Sequence, residues 1–185
     1  MRSGLSVTGT APAGATVEID QLGGAPGSTW VPVAAAQAGV DGSFAAAWHT
    51  SPAGPLTIRA VLQGSRAPSA AASPPAVPVT LYRRSIATLY GPGFYGQRTA
   101  CGVILRRRTI GVANRTLKCG TEVQIYYQGQ VMTVPVIDRG PYAHHANWDL
   151  TMATGRALGI EGTTMIGAAA LPPAPTVSGT TPAAP

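Results

Sequence analysis

The sequence predicts an all-β protein built as two successive strand-rich units with one or two short helices. Three observations carry that prediction. Segments rich in Val, Ile, Thr and aromatic residues, each only a few residues long, recur along most of the chain. Gly, Pro and Asp-Gly turns punctuate them at regular spacing, the signature of strands rather than helices. No run of eighteen apolar residues interrupts the pattern, so no transmembrane helix is expected.

In the first unit, residues 5–8, 16–20, 30–33, 44–48, 56–62 and 77–81 are β-rich or alternating. Ala11-Pro12-Ala13-Gly14, Asp41-Gly42 and Pro52-Ala53-Gly54 separate them. Six short strands with such turns predict an antiparallel sandwich over residues 1–83. Trp30 and Trp48 read as inter-sheet core, with a sugar-stacking pair as the alternative. The segment 64–76, rich in Ala, Ser and Pro, reads as a long loop before the last strand. No chemistry-bearing constellation occurs here, and the unit reads as a spacer or presentation domain.

The second unit begins with a strand over 86–90. The glycine-rich loop 91–96 follows, without the Walker spacing that would cradle phosphate. Residues 122–127 and 131–137 predict a hairpin across Gln128-Gly129-Gln130. Branched residues Val134, Val136 and Ile137 favour a buried strand end, whereas Arg139-Gly140-Pro141 cannot continue one. Asp138 is therefore held by a rigid strand at the point where it opens into a turn, a fitting place for acid/base chemistry. Residues 152–158 predict a short helix, with Asp149 or Thr151 as N-cap and Gly159 just past its end. Residues 164–171 supply a last strand, and 172–185 form a low-complexity tail expected to be disordered.

Charge is unevenly divided. From Leu81 onward ten Arg and Lys oppose four acids, which accounts for the whole formal charge of +6; the first eighty residues are neutral. The basic half is the one that would meet an anionic partner. No nucleic-acid motif accompanies that charge, so nucleic acid is not expected. Arg106-Arg107-Arg108 reads as a solvated turn, or as a dock for wall phosphates or peptide carboxylates. Cys101 and Cys119 are the only cysteines. A disulfide between them would close a loop of about 17 residues and contribute roughly 3 kcal/mol; two free thiols or half a metal site would lack partners. Such a bond argues for an oxidising compartment, and the absent export signal is then expected upstream.

Several motifs stand in order at close spacing. They are Tyr90-Gly91-Pro92-Gly93-Phe94-Tyr95-Gly96, Thr99-Ala100-Cys101-Gly102, Gly111-Val112-Ala113-Asn114-Arg115-Thr116-Leu117, Cys119-Gly120-Thr121, Ile137-Asp138-Arg139-Gly140-Pro141 and Asp149-Leu150-Thr151. Together they resemble the double-psi β-barrel of rare lipoprotein A (RlpA)-like proteins, distantly similar to expansins. The likeness covers about residues 84–171. The first unit more loosely resembles bacterial immunoglobulin-like modules. The resemblance implies a six-stranded barrel whose groove holds peptidoglycan glycan strands, and lytic transglycosylase activity at the cell wall, by a monomer without a cofactor. It carries the catalytic acid onto Asp138. It carries substrate contacts onto Thr88, Tyr90, Gly91, Arg139, Tyr142 and Asp149.

One carboxyl suffices for such a reaction. It protonates the leaving glycosidic oxygen, then takes the proton of the muramic 6-hydroxyl, which closes onto C1 as an anhydro sugar. Asn114 stands where RlpA-like sequences usually place a histidine, and a carboxamide cannot shuttle a proton. Leu89 stands where an aromatic usually precedes Tyr-Gly. Two rival readings follow: a non-catalytic expansin-like binding module, and a hydrolase using Asp138 with Asp149 as a carboxylate pair. His144 and His145 are adjacent but lack a third ligand at metal spacing, so no metal is expected.

Overall fold

In the computed structural model, residues 4–25, 27–49, 53–64, 74–142 and 145–173 are described. Six strands make up the first unit: β1 (Gly4–Thr10), β2 (Thr16–Gly23), β3 (Trp30–Gln37), β4 (Ser43–His49), β5 (Gly54–Leu62) and β6 (Ala76–Leu81). β1 and β4 form a two-stranded sheet, and β3-β2-β5-β6 form a four-stranded antiparallel one. The alternation in β2 buries Val17 and Ile19, which meet Phe44 and Ala46 of β4 in one apolar cluster. The two sheets therefore share a core.

Trp48 is buried, as expected of inter-sheet core. The Arg59 guanidinium covers Trp30 at 4.2 Å from its ring centre, while also bonding the buried Asp20 carboxylate at 2.9 Å. Trp48 thus offers no face for sugar, and one face of Trp30 is taken by the guanidinium. β6 pairs with β5, which places it in the same sheet as the strands before the Ala/Ser/Pro-rich segment. Residues 65–73 of that segment lie outside the described residues, as do 174–185 of the expected tail.

The second unit closes a six-stranded barrel in the order β10-β8-β11-β7-β12-β9. Its strands are β7 (Arg83–Tyr90), β8 (Val112–Ala113), β9 (Glu122–Tyr127), β10 (Gln130–Asp138), β11 (Trp148–Thr151) and β12 (Thr164–Ala170). β10 with β8 and β11 with β7 are parallel; the other pairs are antiparallel. Alternate residues fill the interior: Ala87, Val112, Ile125, Val136, Leu150 and Ile166 all belong to its core. The β9–β10 hairpin turns on two residues, Gln128 and Gly129, with φ of 46° and 85°. That is the doubly left-handed turn whose twist matches antiparallel strands, so Gln130 joins the strand and does not stay in the loop.

Residues 148–151 depart from the expected pattern. Trp148–Thr151 is a strand, and the helix α1 (Met152–Leu158) begins only after it. Of the two candidate caps it is Thr151 that closes the helix, its Oγ1 accepting from the Thr154 N–H at 3.1 Å. Asp149 is not a cap, because it sits two residues earlier in the ladder, opposite Ala113 and Thr88. Gly159 ends the helix in the left-handed conformation, as its position predicted.

α1 lies close on the barrel through small residues. A Cβ at Gly155 would fall 2.5 Å from Leu89 Cδ2, and one at Gly91 would fall 2.2 Å from Met152 Cγ. Buried Thr154 ties the helix to the strand entering the barrel. Its Oγ1 accepts from the Gly111 N–H at 3.0 Å and lies 2.9 Å from Thr151 Oγ1.

Candidate active site

The geometry of the site begins with an irregularity in β10. Val136 opposes Val112 on β8, but the next matched pair is Asp138 with Ala113, so two steps along β10 answer one along β8. Val112 and Val136 both face the barrel interior and are fully buried. Side chains alternate along a strand, so Ala113 faces outward, and Asp138 faces outward with it. In a regular strand Asp138 would share the inward face of Val136. The extra residue, Ile137, is a β-bulge that turns the carboxylate out of the core.

Asp149 flanks Ala113 on its other side, and Thr88 lies beyond Asp149. Asp138, Ala113, Asp149 and Thr88 thus form one row across four strands on the outer wall. The two acids' Cα atoms stand two inter-strand spacings apart, about 10 Å. The Thr88 hydroxyl donates to Asp149 Oδ1 at 2.7 Å. Burial holds the Asp149 carboxyl above the usual carboxylate range; the Thr88 bond opposes that shift, and the Asp138 charge adds to it.

Asp138 is half-buried. Its Oδ1 accepts two backbone N–H bonds, from Arg139 at 2.8 Å and from Ala100 at 2.9 Å. It lines a small cavity of about 80 Å³ with Tyr90, Phe94, Gln97, Arg98 and Thr99. Tyr90 extends the row on β7, opposite Thr151. Its hydroxyl is buried and has no hydrogen-bond partner among the described residues. Burial keeps that phenol protonated far beyond its usual range, and the charges of Asp138 and Asp149 reinforce the effect. A protonated hydroxyl with no partner among the described residues therefore stands within electrostatic reach of both carboxyl groups.

The Ala100 donor is held in place by a disulfide. Cys101 and Cys119 are bonded, with Cα atoms 5.6 Å apart. On one side is a self-contained loop, bridged between Arg98 and Ile104. On the other is the turn 118–121, which bonds β10 through Gly120 N to Val136 O at 2.8 Å and Val136 N to Thr121 O at 2.9 Å. The staple thus fastens the loop that carries Ala100 to the strand that carries Asp138.

Other expected site residues lie apart from this row. The Asn114 carboxamide is engaged in its own turn, accepting from Leu117 N at 2.9 Å and Thr116 N at 3.0 Å and donating to Asn147 O at 3.3 Å. Only its backbone meets the acid's residue, donating to Asp138 O at 3.1 Å. Arg139 turns away from the carboxylate, donating to Asn114 O at 3.1 Å and contacting Cys119 Sγ at 3.2 Å. Arg115 clamps the following loop by donating to the carbonyls of Pro141 and Ala146. Tyr142 on that loop is 81% exposed, available to a ligand but unsupported by neighbours. Gly91 acts through the close approach of Met152 already described. His144 lies outside the described residues, and His145 is exposed. Among the described residues, no helix is long and apolar enough to cross a membrane.

Comparison with known proteins bears on the barrel. A family model described as lytic transglycolase matches residues 83–169. The "Probable endolytic peptidoglycan transglycosylase RlpA" of Synechocystis sp. is 42% identical over 77 residues, covering 40% of this chain and 24% of that protein. The protein of the same description from Aquifex aeolicus is 37% identical over 81 residues, covering 43% of this chain and 36% of its own length. The chain thus spans about a quarter to a third of these relatives. Among solved structures, the Streptomyces papain inhibitor covers 49% of this chain and 94% of its own at 21% identity, with a TM-score of 0.40. The barrel, matched over residues 83–169, is an RlpA-like double-psi β-barrel domain.

Proposed function

We propose that this chain binds peptidoglycan glycan strands at the cell wall and cleaves them as a lytic transglycosylase. The observation that carries the reading is the outward row of Asp138, Asp149 and Thr88, with the buried Tyr90 hydroxyl beside it. Asp138 is the acid/base. Oriented by two N–H bonds at the edge of an open cavity, it protonates the glycosidic oxygen and then accepts the proton of the muramic 6-hydroxyl. Burial raises the Asp149 pKa above the ordinary carboxylate range, which makes a second negative charge in the row less favourable. Tyr90 lines the same pocket as Asp138 and, with its hydroxyl buried, shapes the wall against which the sugar lies. Because the nucleophile belongs to the substrate, no second carboxylate has to attack.

The test is mass spectrometry of purified sacculi digested by the full chain. Anhydro-muropeptides are expected, and Asp138→Asn should lower their yield by about 10²- to 10⁴-fold, the usual contribution of a general acid. Digests with no anhydro products would remove the reading.

One observation favours a second reading, binding without cleavage: the Asn114 carboxamide is tied into its turn and carries no transferable proton. In that case the sacculi are retained intact, and Asn114→His creates activity that the parent chain lacks.

A further inference from the structure

A groove larger than the one beside Asp138 lies elsewhere on the barrel. A cavity of about 580 Å³ opens on the outer wall where β7, β12 and β9 run together beneath the end of β6. Tyr82 and Tyr126 pack ring to ring in it at 5.5 Å. They approach because the strand under them carries Gly167, where a Cβ would fall 2.8 Å from the Tyr82 side chain. Tyr126 nevertheless keeps 43% of its surface exposed, as does Met165 at 44%. Arg84 and Gln128 bring planar hydrogen-bonding groups to the rim, and no carboxylate lines the groove.

We infer that this groove is a second carbohydrate subsite, taking a β-1,4-linked N-acetylhexosamine glycan against the Tyr126 face. The inference rests on the proposed function and extends it. The lining is suited to an uncharged ring polymer, which presents apolar C–H faces to an aromatic and hydroxyls and amides to planar donors. Position supports the same occupant. Arg84, Ile86, Thr88 and Tyr90 alternate onto the outer face of β7, so a single strand links the groove to the acidic row. Arg84 and Thr88 are four residues apart, or about 13 Å along an extended strand. A polymer lying along β7 would meet the tyrosine pair and the carboxyl row together, whereas a monosaccharide or a small anion would fill only one of them.

The test is titration of the isotopically labelled Asp138→Asn chain with a tetramer of β-1,4-linked N-acetylglucosamine, read by amide chemical shifts. Shifts clustering at Arg84, Tyr126 and Gly167 are expected. Tyr126→Ala should weaken binding there about tenfold, and Tyr126→Phe, which keeps the face, should restore it. Shifts confined to the Thr88–Asp149 row, or affinity unchanged by Tyr126→Ala, would overturn the subsite while leaving the catalytic reading in place. Shifts at the groove together with sacculi left uncleaved by the parent chain would keep the subsite and remove the catalytic reading. Sedimentation showing self-association that Tyr126→Ala abolishes would identify the groove as a contact between copies and overturn the inference.

Discussion

Removing the disulfide by Cys101→Ser with Cys119→Ser tests how the loop and the acid are coupled. The cysteines are 18 residues apart. In the chain-entropy model, closing a loop of that size restricts the unfolded ensemble by about 3 kcal/mol. On a domain the size of this barrel, that corresponds to a fall in Tm of roughly 10–25 °C. The effect on the site should be separable from the effect on stability. The loop's own hydrogen bonds survive the substitution, including Thr99 N to Val103 O at 2.8 Å and Arg98 Nη1 to Gly102 O at 2.7 Å. Among the described residues, the hydrogen bond that then remains between loop and acid is that of Ala100 N–H to Asp138 Oδ1. Below the lowered Tm the double variant should therefore stay folded but bind and process glycan less well, with its Ala100 amide exchanging faster than in the parent. Urea unfolding followed by amide exchange reads both quantities. A stability loss below about 1 kcal/mol, with Ala100 exchange unchanged, would refute the idea that the staple positions the acid.

Asp149 makes a pH-dependent prediction. Its folded-state pKa is raised above the ordinary 3.8, so its contribution to stability is full below that ordinary range and is lost as pH rises through the raised value. Asp149→Asn should leave Tm unchanged near pH 3 and raise it at pH 7, as measured by calorimetry across that range. Thr154→Val keeps the shape but strands the buried Gly111 N–H and the Thr151 hydroxyl. It should cost roughly 2–4 kcal/mol in denaturant unfolding, with the same strands retained by far-ultraviolet circular dichroism.

Much of this fold was legible because its signals are local. Branched residues mark each barrel strand, Gly159 marks the helix end, and the valine-rich run closing on Asp138 marks the strand that delivers the acid. Asp149 is ambiguous in sequence because its local context supports two outcomes. An acid three residues before a helix resembles a cap, yet Trp148 and Leu150 alternate with Asp149 and Thr151 in the period of a strand. Only the pairing of that strand with β7 and β8, far away in sequence, decides between them. The bulge at Ile137 is invisible for the same reason, since an extra residue exists only relative to a partner strand. Arg139 adjoins Asp138 in sequence but points to the Asn114 carbonyl, because the chain leaves the strand at Asp138 and turns there. The buried Tyr90 hydroxyl has a faint signal, a tyrosine just before a Gly-Pro-Gly loop, but its burial is set by how that loop folds back over it, with the Phe94 ring edge-on at 6.2 Å.

The additional step at Ile137 has a practical corollary for anyone altering this scaffold. Deleting Ile137 would leave the acid one step beyond Val136 and still facing outward, whereas keeping the residue but pairing the strand regularly with β8 would swing the acid into the hydrocarbon interior and Ile137 out toward solvent. Comparing such barrels by whether they retain an aspartate is therefore insufficient. What distinguishes a working wall from a silent one is whether the acid stays paired opposite the outward residue of the neighbouring strand, as Asp138 does with Ala113.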